Sequence, residues 1–589
     1  MGVLVAPARP EADHPLSVVA ATFDGAPLRS SLSLALEDAA GRRLPVDVRT
    51  DWGEPDAVIG TVTPERAGRY VAKVGLDGRV VACEVVRVRP SSRAGPARAA
   101  DAPWPARRRW TVAEEALYAA WVRELFRAGR DDTLAHDALH EVTSDPARNF
   151  LWNALGLGED LPPDQGGLFL QPDCADTPYF LRAYFAWKRG LPMGFRHCSR
   201  GKGRPPACGP LVDVRERLAE ADGATVLERV GRAFSRTIAW GVHSGNGRVP
   251  HESDRSDFYP VAWTHRGIRP GTIYADPYGH VFVVVGWFPP SGRRPGVLYA
   301  VDGQPDGSLT RKPFWEGNFL WNPDPALGGS GFKAFRPVVY EDGVLTAVSN
   351  RTLERDADAA FFAGPYAVSA QAFYDALDAL ITPGTRDPVA SLEQAVEHLA
   401  AAARVRVRSV DNGVRYVRAH PGRKVAMPDG AAIFETQGPW EDYSTPARDL
   451  RLLIAIDVVL AFPERVRRRP ERFGIDPADV ARLVDDLERR RAALLADPRY
   501  GITYTRSDGS PWSLTLADLV ARREALEVAY HPMDCPEVRW GAAPGSDEAS
   551  TCDRRAPEDD RRKMEAYRGW FRARRRPPRG DPGPPVAGD

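Results

Sequence analysis

The chain has 589 residues, with 79 Lys+Arg balanced by 79 Asp+Glu, and 43% of it is hydrophobic. That hydrophobic fraction excludes wholesale disorder, and the length predicts roughly three or four domains. Zero net charge argues against nucleic acid as a main partner, because that affinity rests on neutralising phosphates.

From about residue 13 to 92 the pattern is short alternating runs parted by turns: Leu32–Leu36, Ala57–Ile59 and Tyr70–Val74. Gly75-Leu-Asp-Gly78 then separates Tyr70–Val74 from Val80–Val88 as a hairpin turn would. Pro64-Glu-Arg-Ala-Gly-Arg-Tyr70-Val-Ala72 resembles the corner before a late strand in immunoglobulin-like domains, with Ala72 in place of the usual second Cys, so a non-catalytic immunoglobulin-like β-sandwich with a spacing or docking role is expected. Cys83 falls in its alternating pattern and is expected as a small buried hydrophobe. Residues 90–105, rich in Pro, Ala, Ser and Arg, read as a linker.

A second domain is expected over 106–345. Thr111-Val-Ala-Glu114 has the form of a capping box, opening a helix with Leu117, Trp121, Leu125 and Phe126 on one face. A further helical segment is expected over Ala147–Leu155. Cys174 then leads a run in which Tyr179, Ala183, Ala186 and Trp187 share an apolar side and Gly190-Leu-Pro192 ends the helix. A cysteine at a helix N-terminus meets free backbone N–H groups that favour its thiolate; Asp173 and Asp176 oppose that effect or serve as caps.

His280 stands after Gly279 at the entrance of the apolar run Val281–Val285, the mark of a strand covered on both faces. A turn at Ser291–Gly296 and a returning strand, Val297–Asp302, predict a hairpin that brings Asp302 back beside His280. A nucleophilic thiol, a proton-carrying imidazole and an acid that fixes the ring are what thiol catalysis requires. Asp302 precedes Gly303 and also suits a turn, while Asp276 before Pro277 reads as a turn former.

Residues 350–571 read as mainly helical. Thr445-Pro446 and Asp476-Pro477 start helices leading into Leu450–Phe462 and Val480–Leu495. Glu435–Tyr443 is a polar-aromatic loop with no assigned role. The apolar Leu450–Phe462 stretch, about 13 residues long and containing Asp457, is too short and too polar to span a membrane. Residues 572–589, rich in Arg, Pro and Gly, read as a disordered tail.

Six cysteines are present. Cys198 and Cys208 bracket one loop and Cys535 and Cys552 another, spacings that suit disulfides and a periplasmic or secreted location. No signal peptide is recognisable, which leaves the cytoplasm as the alternative.

The Cys174 and His280 segments resemble the papain-like superfamily, particularly NlpC/P60 cell-wall peptidases and their transglutaminase-like relatives. Asp173-Cys174 before an aromatic-rich helix is similar to the NlpC/P60 Asp-Cys motif. Arg269-Pro-Gly-Thr272 followed by Gly279-His280-Val and Val285-Gly286 is similar to that family's strand pair. Thr272 stands where an acid is usual, Ala175-Asp176 replace small residues, and Asp302 fits the transglutaminase-like order better. The resemblance covers about residues 167–335. It implies an α+β catalytic domain, a helix on an antiparallel sheet, within a multidomain chain.

It also implies a thiol-dependent hydrolase of peptide or isopeptide amides, with cell-wall peptide as candidate substrate and no cofactor or metal. Cys174 is then the nucleophile, His280 the general base and acid, and Asp302 its orienter. The Cys174 N–H and the Gln171 side chain would supply the oxyanion site. One alternative is a catalytically inactive papain-like scaffold or binding protein. Another is a zinc-dependent hydrolase drawing on His197, His243, His251, His265, Asp254 and Asp257, whose spacings match no tight ligand pair.

Overall fold

The computed structural model describes residues 1–7, 9–23, 32–44, 46–50, 55–91, 103–220, 223, 225–362, 364, 366 and 368–586. The middle of the expected linker, 92–102, and the last three residues of the expected tail lie outside them. The chain is a multidomain α+β protein with several antiparallel sheets. It divides into two compact units. One comprises Met1–Pro289, Val297–Phe314 and Trp321–Ile381; the other comprises Pro290–Gly296, Trp315–Leu320 and Thr382–Asp589.

The first unit opens with eight strands: β1 (Gly2–Ala6), β2 (Leu16–Thr22), β3 (Leu32–Asp38), β4 (Arg43–Leu44), β5 (Asp47–Thr50), β6 (Asp56–Val62), β7 (Gly68–Leu76) and β8 (Arg79–Val88). They form two antiparallel sheets, ordered β1-β2-β6-β5 and β4-β3-β7-β8. Leu16, Val18 and Val62 of the first meet Leu36, Tyr70, Ala72, Val86 and Val88 of the second in a shared core. The Tyr70 hydroxyl donates to the Arg66 carbonyl at 2.7 Å, fastening the corner that leads into β7. The sheets start at Gly2, earlier than the expected boundary at residue 13. Cys83 corrects a second expectation: it is exposed, because edge strand β8 turns Val86 and Val88 inward and leaves Val81, Cys83 and Val85 outside.

The opening module is no separate bead. Leu4, Val19, Ala21, Ala57 and Ile59, on the other face of the β1-β2-β6-β5 sheet, belong to one core with helix α1 (Val112–Leu125). Thr111 caps α1 by accepting from the Glu114 N–H at 3.3 Å. The Glu114 carboxylate pairs with Arg108 and Arg189. Gly2 permits the close approach of β1, since a Cβ there would lie 2.5 Å from the Ala113 carbonyl oxygen.

Two short hairpins and a seven-stranded sheet complete the β structure of this unit. Its strands are β9 (Ala135–His136), β10 (Gly194–Cys198), β11 (Cys208–Asp213), β12 (Phe258–Pro260), β13 (Ile273–Ala275), β14 (Val281–Phe288), β15 (Val297–Gly303), β16 (Leu309–Pro313), β17 (Gly331–Phe335), β18 (Val338–Glu341) and β19 (Val344–Ala347). The large sheet runs β12-β17-β13-β14-β15-β16-β9, all antiparallel. Both its faces are covered, as the apolar β14 run requires. Val281, Val283, Val285 and Val301 join the core of α1 and helix α2 (Asp176–Arg189). Tyr274, Phe314 and Phe332 pack with Phe373 of helix α3 (Ala370–Ile381). Residues 350–381 therefore belong with the central sheet, not with the helical region expected to begin at 350.

The helix expected over Ala147–Leu155 does not form; the segment is a series of turns. Buried side chains take up the backbone groups a helix would use. Asp160 accepts from the Asn153 N–H, Glu159 from the Leu155 and Leu157 N–H groups, and Asn149 from Leu151. Lys188 of α2 then binds Glu159 and Asp160, each at 2.5 Å, with all three side chains sealed from solvent.

The second unit is mainly helical, with α4 (Pro388–Ala419), α5 (Pro446–Arg468), α6 (Val480–Ala496) and α7 (Glu558–Arg572) around one core, and a hairpin of β20 (Ile502–Thr505) and β21 (Pro511–Leu514). Asp449 of α5 holds the buried Arg406 of α4 through two bonds of 2.7 and 2.8 Å. The segment after α7 is packed, correcting the expected disordered tail. Arg574 bonds Asp457, the Ala431 N–H donates to the Asp581 carbonyl, and Arg579 pairs with Glu435. Among the described residues no helix is long and apolar enough to cross a membrane. Cys198–Cys208 and Cys535–Cys552 are disulfide-bonded.

Candidate functional site

Cys174 lies in the turn that enters α2 and is half-buried with a free thiol. Asp173 builds that turn: its Oδ1 accepts from the Ala175 and Asp176 N–H groups at 2.7 and 2.9 Å, so it caps the helix start. The Val281 backbone N–H favours the Cys174 anion. The prevailing effect is the opposite. Burial, then the charges of Asp173 and Asp302, hold the thiol well above its ordinary range. Burial and Asp173 likewise push the Asp176 carboxyl up to about 8.

His280 directly precedes Val281 and is set by a tight turn. The Asp276 N–H donates to the His280 carbonyl at 2.8 Å, the Tyr278 N–H to the Asp276 carboxylate at 2.7 Å, and Gly279 adopts φ +102°. Asp276 is thus the turn former expected. Asp302 is the fully buried acid, inside β15 rather than in a turn: it pairs with Phe282 on one side and Thr310 on the other.

His280, two residues before Phe282, and Lys312, two residues after Thr310, therefore flank Asp302 on one face of three adjacent strands. Asp302 Oδ1 accepts from His280 Nε2, and Oδ2 accepts from Gln304 Nε2 at 2.6 Å and from Lys312 Nζ. Burial alone would raise this carboxyl, but His280 and then Lys312 outweigh it and hold it well below the usual carboxylate range. The Phe282 ring lies edge-on to His280, with centroids 4.7 Å apart.

Gly303 lets the end of β15 reach the start of α2. A Cβ there would sit 2.5 Å from Thr177 Oγ1 and 2.7 Å from the Asp173 carbonyl oxygen. The structure thus joins His280 to Asp302 and sets the entry of α2, where Cys174 lies, against the end of β15. Gln171, the expected oxyanion donor, instead donates its amide to the Asp306 carbonyl at 2.9 Å, bracing the turn between β15 and β16. Thr272, in the position where the resembled family carries an acid, donates to the Gly267 carbonyl at 2.9 Å.

Sequence reasoning missed Gln304, Lys312 and the Val281 N–H. The first two become visible only once the β15–β16 register is known; a hairpin drawn from Asp302 through the Asp306-Gly307 turn would have pointed to them. The histidines weighed as zinc ligands are engaged elsewhere. The rings of His197, His243 and His251 bond the carbonyls of Gly241, Cys198 and Ser330, and His265 packs on Trp287. Among the described residues the one cluster of metal-ligand type is Cys535, Glu537 and Cys552, two of which form a disulfide.

No protein-family model matches the chain, and no curated protein matches it.

Proposed function

We propose that the chain is a thiol-dependent hydrolase of the papain-like class, cleaving peptide or isopeptide amides, with cell-wall peptide as the first substrate to test. The observation that carries this reading is the fully buried Asp302 bonded to His280, with the backbone N–H of the next residue, Val281, favouring the Cys174 anion.

With Nε2–H given to Asp302, His280 Nδ1 is the nitrogen that takes the thiol proton as sulfur attacks the carbonyl carbon. The same proton passes to the leaving amine, and water then hydrolyses the thioester with His280 again as base. The Cys174 N–H is assigned to the oxyanion. The elevated thiol fits a mechanism in which proton transfer accompanies attack, rather than one with a resting thiolate. The opening module is read as an immunoglobulin-like sandwich that steadies the catalytic domain; its shared core with α1 supports that role. The two disulfides support an oxidising compartment, the periplasm or the cell exterior.

One observation favours a second reading, an inactive scaffold: burial and three carboxylates all hold the Cys174 thiol up. Assays on cell-wall peptide and on protein substrates, with wild type beside Cys174→Ala, separate the two. The proposal expects turnover that Cys174→Ala abolishes, by at least about 10³-fold. Turnover unchanged in Cys174→Ala would overturn it.

A further inference from the structure

Asp302 has more partners than a ring-orienting acid requires. Its Oδ1 serves His280, and Gln304 Nε2 at 2.6 Å already occupies Oδ2. Each oxygen of the buried carboxylate thus has a donor without Lys312, whose distinct contribution is a full positive charge. Lys312 is not buried there by necessity either, since its side chain is 28% exposed and water is within its reach. Strand β16 nonetheless carries it to the acid on the side opposite His280.

We infer that Lys312 is a positioning residue of this site: by sharing the Asp302 carboxylate with His280, it sets how much negative charge the imidazole feels and so when His280 can accept the thiol proton. The inference rests on the thiol-hydrolase reading above. Its physics is simple. Asp302 alone would favour the positively charged imidazolium; the ammonium on the far oxygen offsets part of that field. The other titratable groups of the site do not supply this correction. Asp173 and Asp176, from the start of α2, and Asp276, in the ring's own turn, are all acidic groups. Asp306 beyond β15 is tied to Ser308 at 2.6 Å. Among these groups Lys312 is the cation.

The test is the pH profile of Cys174 alkylation by iodoacetamide in the full-length protein, mapped by mass spectrometry. It compares wild type, His280→Ala, Lys312→Met, Lys312→Gln and Lys312→Arg, with thermal unfolding recorded for each. In wild type the rate should depend on His280 and rise with pH. Lys312→Met and Lys312→Gln should each move that rise up by about one pH unit, and Lys312→Arg should restore it.

A His280-dependent profile that Lys312→Met and Lys312→Gln leave in place would overturn the inference alone. A rate indifferent to His280→Ala would overturn the hydrolase reading and the inference with it. Failure of both neutral variants to fold would make Lys312 a structural residue and also overturn the inference.

Discussion

Two buried lysine–carboxylate clusters in the first unit show how similar chemistry serves different ends. Around Lys188, Glu159 and Asp160 are bound on every side, by the ammonium, by backbone N–H groups and by Tyr184, and nothing in the cluster reaches solvent. Around Asp302 the acid is equally buried, but its partners His280 and Lys312 keep about a quarter of their side chains exposed. The closed cluster shapes a non-helical segment. The open one joins a buried charge to an imidazole that can exchange protons with something outside. Burial of an acid is therefore weak evidence of function by itself; a titratable partner at the surface is what distinguishes the second cluster.

The comparison can be broken by substitution, and the largest effect is expected at Asp302. Asp302→Asn keeps the shape but removes the charge that fixes the ring, so turnover should fall on the order of 10⁴-fold. Stability should fall less than at Lys188, because His280 and Lys312, both partly exposed, can turn to water. Kinetics at fixed pH beside thermal unfolding check both halves. A stability loss as large as that expected at Lys188 would erase the distinction.

Lys188→Met should behave in reverse. It leaves two carboxylates buried without their cation and should cost about 3–5 kcal/mol in denaturant unfolding, with alkylation of Cys174 unchanged in the folded protein. Asp176 sharpens the contrast by a smaller amount. Its carboxyl, pushed up to about 8 by burial and Asp173, holds a proton in the folded chain that the unfolded chain releases near pH 4. Its contribution to stability thus declines as pH rises from about 4 to about 8. Asp176→Asn should raise the melting temperature more at pH 8 than at pH 5. An equal gain at both values would show that Asp176 carries no such load.

Much of this site was legible because its parts sit in strong local patterns. A cysteine leading an aromatic helix, a histidine opening a five-residue apolar strand and an acid on the returning strand each have a nearby signal. Lys312 has no signal of its own: its link to Asp302 depends on the register of the hairpin through the Asp306-Gly307 turn. In the fold, the alternating runs after residue 13 disclosed the sandwich, but Gly2–Ala6 is a short run cut off by Pro7 and escaped notice.

The helix expected over Ala147–Leu155 gives way because Glu159 and Asp160, outside that window, capture N–H groups within it. The last residues misled through composition. Arg and Pro resemble a disordered tail unless acids such as Asp457 and Glu435, more than a hundred residues away in sequence, are known to meet them.

The central claim is that His280 acts on Cys174, and it can be measured without knowing a substrate. The rate of Cys174 alkylation by iodoacetamide at pH 7.5 should fall about 10²-fold in His280→Ala, while exposed Cys83 in the same molecule keeps its rate. Equal Cys174 rates in wild type and His280→Ala would contradict the account.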